Sequence, residues 1–229
     1  MSMPDRGGVY SETGRLRTVL VHRPGDELRR LTPPSNRHAL LFDDVLWVDR
    51  AIVEHDEFTR LMKEEGGVRV CYLADLLEES IRQSPACRRE LAASVLQAAG
   101  SGTPLAEILY AYLMESDPPA ALVHHLIAGL QLAELAGAEA GKLQRQSLVA
   151  AAEPDNFVIP PLPNSMYTRD ASSWFCGGFT LNPMHWPVRR GGETANAAAV
   201  YRHHPPHFAG SDIPLWYGGE RRQVTVARR

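Results

Sequence analysis

Two stretches of the chain concentrate residue types that do chemistry: Pro161-Leu-Pro-Asn-Ser-Met-Tyr-Thr-Arg-Asp170, and Asn182-Pro-Met-His-Trp-Pro-Val-Arg-Arg190 with Glu193-Thr194 behind it. Asp170 stands between a proline-stiffened approach and a predicted strand, a place where a rigid element presents a charged group from a loop. Its carboxylate is a partner for a cation, although Arg169 beside it reads equally well as a structural salt bridge. Arg189 and Arg190 follow a proline-bounded turn rather than a charged helix face; a solvated pair is the alternative. His203 and His204, with His207 nearby, invite a metal reading, since imidazoles at short spacing converge, yet no cysteine or acidic cluster completes a ligand set. The three cysteines, Cys71, Cys87 and Cys176, are widely and irregularly spaced, which fits neither a disulfide framework nor a zinc site. Cys176 is nearest to Asp170, but it falls six positions on, in a segment that reads as a strand nearing a turn. A nucleophile needs a neighbouring base and a held carbon, and neither is signalled there.

The elements that position these groups are legible in outline. Arg17-Thr-Val-Leu-Val-His22 packs β-branched and apolar residues and stops at Arg23-Pro-Gly25, which predicts a buried strand ending in a turn. From Asp49, Ala51, Ile52, His55, Phe58, Leu61 and Met62 return at helical spacing, with Glu54, Asp56, Glu57 and Arg60 outward, until Gly66-Gly67 closes the helix. Val68 to Leu73 then reads as a second strand, making one αβ building block over 1–73. Residues 74–153 turn Ala- and Leu-rich, with helical runs at Arg88 to Ala99, Leu105 to Met114 and Leu122 to Ala136, which predicts an all-helical insertion. Over 154–219 the αβ texture resumes, with extended Phe157 to Pro163 and a hairpin across Ser173 to Leu181 turning at Gly177-Gly178. Residues 220–229 form an arginine-dense tail whose Val224-Thr-Val226 run is short enough for a strand.

Composition bounds the function. The 229 residues are 44% hydrophobic with a formal charge of -3, ordinary for a chain able to bury a core. Acidic and basic residues are spread along the chain, without the basic footprint that nucleic-acid binding requires. No apolar run reaches signal-peptide or membrane-spanning length, so a cytoplasmic protein without a membrane partner is expected.

Leu162-Pro-Asn-x-x-Tyr-Thr-Arg-Asp170 resembles the first active-site loop of the arginine deiminases, whose usual form has Phe where this chain has Tyr167. The resemblance extends to Leu41-Phe-Asp-Asp44, to Glu54-His55-Asp56 with Phe58, to Asn182-Pro-Met184 with Arg189-Arg190, and to Tyr201 with His203-His204-Pro205. It implies an α/β fold of the pentein type, a five-bladed propeller of αβ units around a polar pocket, here with early blades only and a helical insertion. It further implies hydrolysis of L-arginine to L-citrulline and ammonia in arginine catabolism, with no cofactor or metal. In that reaction carboxylates hold the guanidinium, a cysteine thiolate attacks its carbon, and a histidine protonates the leaving ammonia and later activates water.

By resemblance Asp170 is the first guanidinium-binding carboxylate and Arg189 receives the substrate carboxylate; Leu41 and Asn164 are further substrate contacts. Tyr167 would keep the aromatic face for a cation–π contact while adding a hydroxyl that needs a partner. Taken singly, Leu41 reads as a core residue and Asn164 as a turn cap. The family's Glu-Gly-Gly-Asp and His-x-Asp motifs and its terminal cysteine have no counterpart in the 229 residues, and beyond Gly219 the tail reads as foreign to the family. A frameshift or early stop is therefore the expectation, with inactivity at this length. The alternatives are a catalytically dead pentein that binds guanidino compounds or a partner subunit, and a relative of the amidinotransferases or dimethylarginine hydrolases; a homo-oligomer is left open.

Overall fold

The computed structural model describes residues 8–31, 40–99, 104–135, 157–186, 189–204 and 213–218. Its first unit runs β1 (Thr18–Val21), α1 (Asp26–Arg29), α2 (Val48–Glu64) and β2 (Arg69–Tyr72), with β1 and β2 parallel in the register Thr18 to Arg69 and Val21 to Tyr72. Parallel neighbours need a crossover, and α2 supplies it. The helix stops where Gly67, at φ 61, reverses the chain and the Val68 N–H reaches back to the Met62 carbonyl at 2.9 Å. The expected inward face of α2 needs correction: Phe58 and Leu61 are 56% and 43% exposed, while Thr59 is buried among half-buried Ile52, His55 and Met62. Thr59 is admitted inside because its hydroxyl is satisfied, donating to the Asp56 carbonyl and accepting from the Tyr72 hydroxyl, each at 3.0 Å.

Four helices follow: α3 (Leu73–Gln83), α4 (Pro85–Ala99), α5 (Pro104–Glu115) and α6 (Pro119–Ala128). Leu77, Leu91, Leu109, Leu113, Leu122 and Leu130 are completely enclosed in the core that these helices share with the later strands. Arg88 of α4 donates to the carbonyls of Leu113, Met114 and Ser116, so a cation satisfies the end of α5, where the helix leaves carbonyls unpaired and partly negative. The run expected from Leu122 to Ala136 is broken at Gly129, which adopts φ 79 and lets the chain enter β3 (Leu130–Gln131). A Cβ there would lie 2.6 Å from the Ile159 carbonyl oxygen, so the apolar periodicity gives way to a close backbone approach that only glycine permits.

β3 pairs antiparallel with β4 (Phe157–Ile159), and the chain then passes through a 3₁₀ turn (Pro163–Met166) and the single-turn α7 (Thr168–Ala171). β5 (Ser172–Phe175) and β6 (Gly178–Leu181) form the expected hairpin, but its turn lies at Cys176-Gly177, one residue earlier than the glycine pair suggests. Gly178 already belongs to β6, facing the Trp216 indole closely enough that a Cβ would sit 2.4 Å from Nε1. α8 (Gly192–His203) crosses to β7 (Leu215–Tyr217), which joins β6 in parallel, so a second strand-helix-strand unit follows the helices. α8 packs on α3 and α4 through Ala197 to Tyr201. Tyr201 closes the joint: its hydroxyl lies 2.7 Å from Ser172 Oγ and accepts from Trp174 Nε1 at 3.1 Å, within a Trp174–Phe179–Tyr201 ring cluster.

The architecture is α/β. Among the described residues the strands form three small sheets and no closed barrel, and no helix is long and apolar enough to cross a membrane. The arginine-dense tail and His207 lie outside the described residues.

Candidate functional site

The loop entering the site is pinned from both sides. Asn164 is buried and donates from Nδ2 to the Leu40 carbonyl at 3.0 Å, which sets Leu41, in the left-handed region at φ 65, beside the 3₁₀ turn. Asn164 and Leu41 are therefore brought together, with the Asn164 amide committed to backbone. Thr168 donates to the Leu20 carbonyl at 2.9 Å, tying the loop to β1. Asn182 fixes the other end: its backbone N–H donates to the Ala171 carbonyl, and its Nδ2 to the Asp170 carbonyl at 2.8 Å. The Asn182 carbonyl in turn accepts from Thr194 Oγ1 at 2.9 Å, so β6 and the start of α8 are joined at the same point.

Asp170 thus projects its carboxylate from a short helix whose backbone is held. It does not pair with Arg169, which reaches Glu12 at 2.6 Å instead; adjacent residues on a helical turn point apart. Its partner is Arg189, whose Nη1 donates to Asp170 Oδ2 at 2.9 Å. Glu193 takes the opposite edge of the same guanidinium, with Arg189 Nε at 3.1 Å from both carboxylate oxygens and Nη2 at 2.7 Å from Oε2. The side chains form a row from solvent inward: Asp170 is 48% exposed, Arg189 11% and Glu193 3%. Burial pushes the Glu193 carboxyl up, and the neighbouring Arg189 offsets this only in part.

The sequence turns here because of glycine. Gly191, at φ 87, reverses the chain between Arg189 and α8, and Gly192 has no room for a Cβ, which would lie 2.8 Å from a Leu162 side-chain carbon. Arg190 closes the preceding loop by donating to the Met184 and His185 carbonyls. A small, largely apolar crevice opens beside the row, lined by Leu20, Leu73, Ser165, Tyr167, Ala171, Glu193 and neighbours. The Ser165 hydroxyl is buried there with no hydrogen-bond partner among the described residues, and Tyr167 is half exposed at its edge.

The expected residues separate into groups. Asp170 and Arg189 meet directly; Tyr167 lines the crevice; Leu41 and Asn164 are neighbours through Leu40. Glu193 and Asn182 were visible in the sequence but carried no role there; the available signal was Glu193 four positions after Arg189, across a glycine pair. None of Cys71, Cys87 and Cys176 lines the crevice. His203 and His204 point to the helical side, where His203 meets Glu90 at 2.9 Å and Ser84 at 3.2 Å and His204 meets Glu79 at 3.0 Å. Among the described residues no group of three or more His, Cys, Asp or Glu side chains forms a metal cluster.

Known proteins share much of this sequence. The arginine deiminases of Rhodococcus erythropolis, Mycobacterium marinum and Mycobacterium tuberculosis are 43%, 42% and 41% identical over 199, 204 and 198 residues. Those alignments take in 86%, 89% and 86% of this chain but 47%, 49% and 48% of the relatives, so the chain spans about half their length. The sequence model of the arginine deiminase family matches residues 38–228, a range that includes most of the arginine-dense tail set apart above. With the match covering most of its length, the chain belongs to the arginine deiminase family.

Proposed function

We propose that this chain is the guanidino-binding part of an arginine deiminase, the enzyme that hydrolyses L-arginine to L-citrulline and ammonia, in a cytoplasmic setting of arginine catabolism. One observation carries the reading beyond family membership: the Asp170 carboxylate already holds a guanidinium, that of Arg189, at 2.9 Å. A guanidinium stays charged at any working pH, so a group that accepts one inside a loop pinned at both ends is suited to accept another. Substrate guanidinium would take the Asp170 carboxylate, and Arg189, released from it, would turn to the substrate carboxylate. Tyr167 would offer its ring face to the cation, with Leu41 and Asn164 shaping the approach.

At this length we expect binding without turnover. Nucleophilic attack on the guanidinium carbon needs a thiolate beside a base, and no described cysteine lines the crevice. We further propose that the two strand-helix-strand units are early blades of a pentein propeller, with 74–153 as an insertion between them. Isothermal titration of the purified chain with L-arginine tests the binding claim, with ammonia release followed in parallel. Asp170→Asn should weaken binding at least about tenfold, because it removes the charge from the hydrogen-bonded pair. Unchanged affinity in Asp170→Asn would remove Asp170 from the site, and citrulline formed in proportion to protein would refute inactivity.

A further inference from the structure

On the reading of Asp170 as the holder of a guanidinium and Arg189 as the receiver of a carboxylate, we infer that Glu193 is the positioning residue of this site. It anchors Arg189 whether or not ligand is present, while the Arg189–Asp170 contact is the one that exchanges. The two ends of the guanidinium are held unequally. Glu193 is enclosed at 3% exposure and engages Nε and Nη2 through three contacts, whereas Asp170 is half exposed and offers one. Water competes for Asp170 and hardly reaches Glu193, so the outer contact is the weaker one.

Charge points the same way. The row contains two carboxylates and one guanidinium, which leaves one negative charge without a counterion inside the row. A ligand guanidinium on Asp170 would neutralise it, provided Arg189 remains on Glu193 and is not expelled into solvent. Glu193 is suited to hold it there, because it stands in the first turn of α8, just after the turn that Gly191 makes, and forms part of the crevice wall. Its carboxylate leaves Nη1 as the free corner of Arg189 once Asp170 is taken, aimed away from the buried end. A ligand that carries a guanidinium at one end and a carboxylate at the other meets both charges in a fixed relation. Glu193 thereby selects for amino-acid guanidines without touching them.

Two measurements on the whole chain test this. In protein labelled with ¹⁵N-arginine, the Arg189 Nε–H is assigned by its loss in Arg189→Lys, and its exchange with solvent is followed. Protection should persist in Asp170→Asn, because the Asp170 carboxylate it removes contacts only Nη1, and exchange should accelerate at least about tenfold in Glu193→Gln. Glu193→Asp, which keeps the charge on a shorter arm, should fall between wild type and Glu193→Gln. If Glu193→Gln does not fold, faster exchange in Glu193→Asp than in Asp170→Asn is the deciding comparison. Unchanged exchange in both Glu193 variants, or loss of protection in Asp170→Asn alone, overturns the assignment. In the second measurement, L-arginine binding to Glu193→Gln should fall at least about tenfold, with the Nε–H of the wild type still protected at saturation. A wild type that takes up no L-arginine defeats the ligand reading of Asp170, and the exchange pattern in the free chain then judges the anchoring role of Glu193 by itself.

Discussion

Cys87 and Cys176 differ in almost every property that governs a thiol. Cys87 is completely enclosed in α4, where burial first and the Glu90 charge second push its thiol up to about 12; Cys176 is exposed at the hairpin turn with φ 47. At pH 8 a thiol with that raised value is ionised in only about one molecule in ten thousand, and the thiolate is the reactive form. Iodoacetamide should therefore modify Cys176 in the folded chain and leave Cys87 intact until urea is added, as read by peptide mass spectrometry. Equal rates in the folded state would mean that the helices do not close over Cys87. Asp170, Asn164 and Arg189 were legible as candidates because their motifs are contiguous and carry their residue types in the open. Glu193 was not, because its relation to Arg189 depends on a left-handed glycine between them, and spacing across such a turn says nothing about direction.

At the scale of elements, Gly129 and Gly191 separate two penalties that sequence cannot tell apart. Both have positive φ, at 79 and 87, but a Cβ on Gly191 meets nothing within 4 Å among the described residues, whereas one on Gly129 meets backbone of Ile159 and Pro161 at 2.6 and 2.8 Å. Gly191→Ala should cost only the conformational strain of its φ 87, ψ -69 backbone, about 1 to 3 kcal/mol. Gly129→Ala adds a clash with backbone that cannot rotate away, and thermal melts should show the larger loss there; a reversed order would mean that β3 and β4 separate readily. The same distinction explains why some elements depart from their apolar pattern. Helical periodicity ran on past Gly129 because the neighbouring leucines are apolar in either state, and only the approach of β4 decides that the chain leaves the helix. Phe58 and Leu61 were placed inside α2 by the same periodicity, while the buried position went to Thr59, which has hydrogen-bond partners from its own helix and from β2.

The whole molecule depends on contacts between residues too far apart for any local pattern to reveal. Arg30, at the end of α1, donates to the Ala128 and Gly129 carbonyls at the end of α6 and to both oxygens of Glu134, one at 2.7 Å. It joins the first strand-helix-strand unit to the helices, and His124 adds a second tie to Asp26 at 3.1 Å. Burial pushes the Glu134 carboxyl up, but the Arg30 hydrogen bonds and the Gln131 backbone N–H together outweigh it and hold the group below the usual carboxylate range. A carboxyl whose folded value is lowered contributes stability that is present above its unfolded value and is lost as pH falls through the folded one. Glu134→Gln should therefore lower the urea midpoint at pH 7, by a stability difference of about 1 kcal/mol since both partners are partly solvated. At about pH 3 the gap between wild type and variant should be narrower than at pH 7, because protonation begins to remove from wild type what the substitution removed already. The two urea titrations, compared at both pH values, check the sign as well as the size. A gap that persists undiminished in acid would mean that Glu134 acts through its shape and packing, and the tie between the two parts of the fold would then rest on the two carbonyls that Arg30 caps.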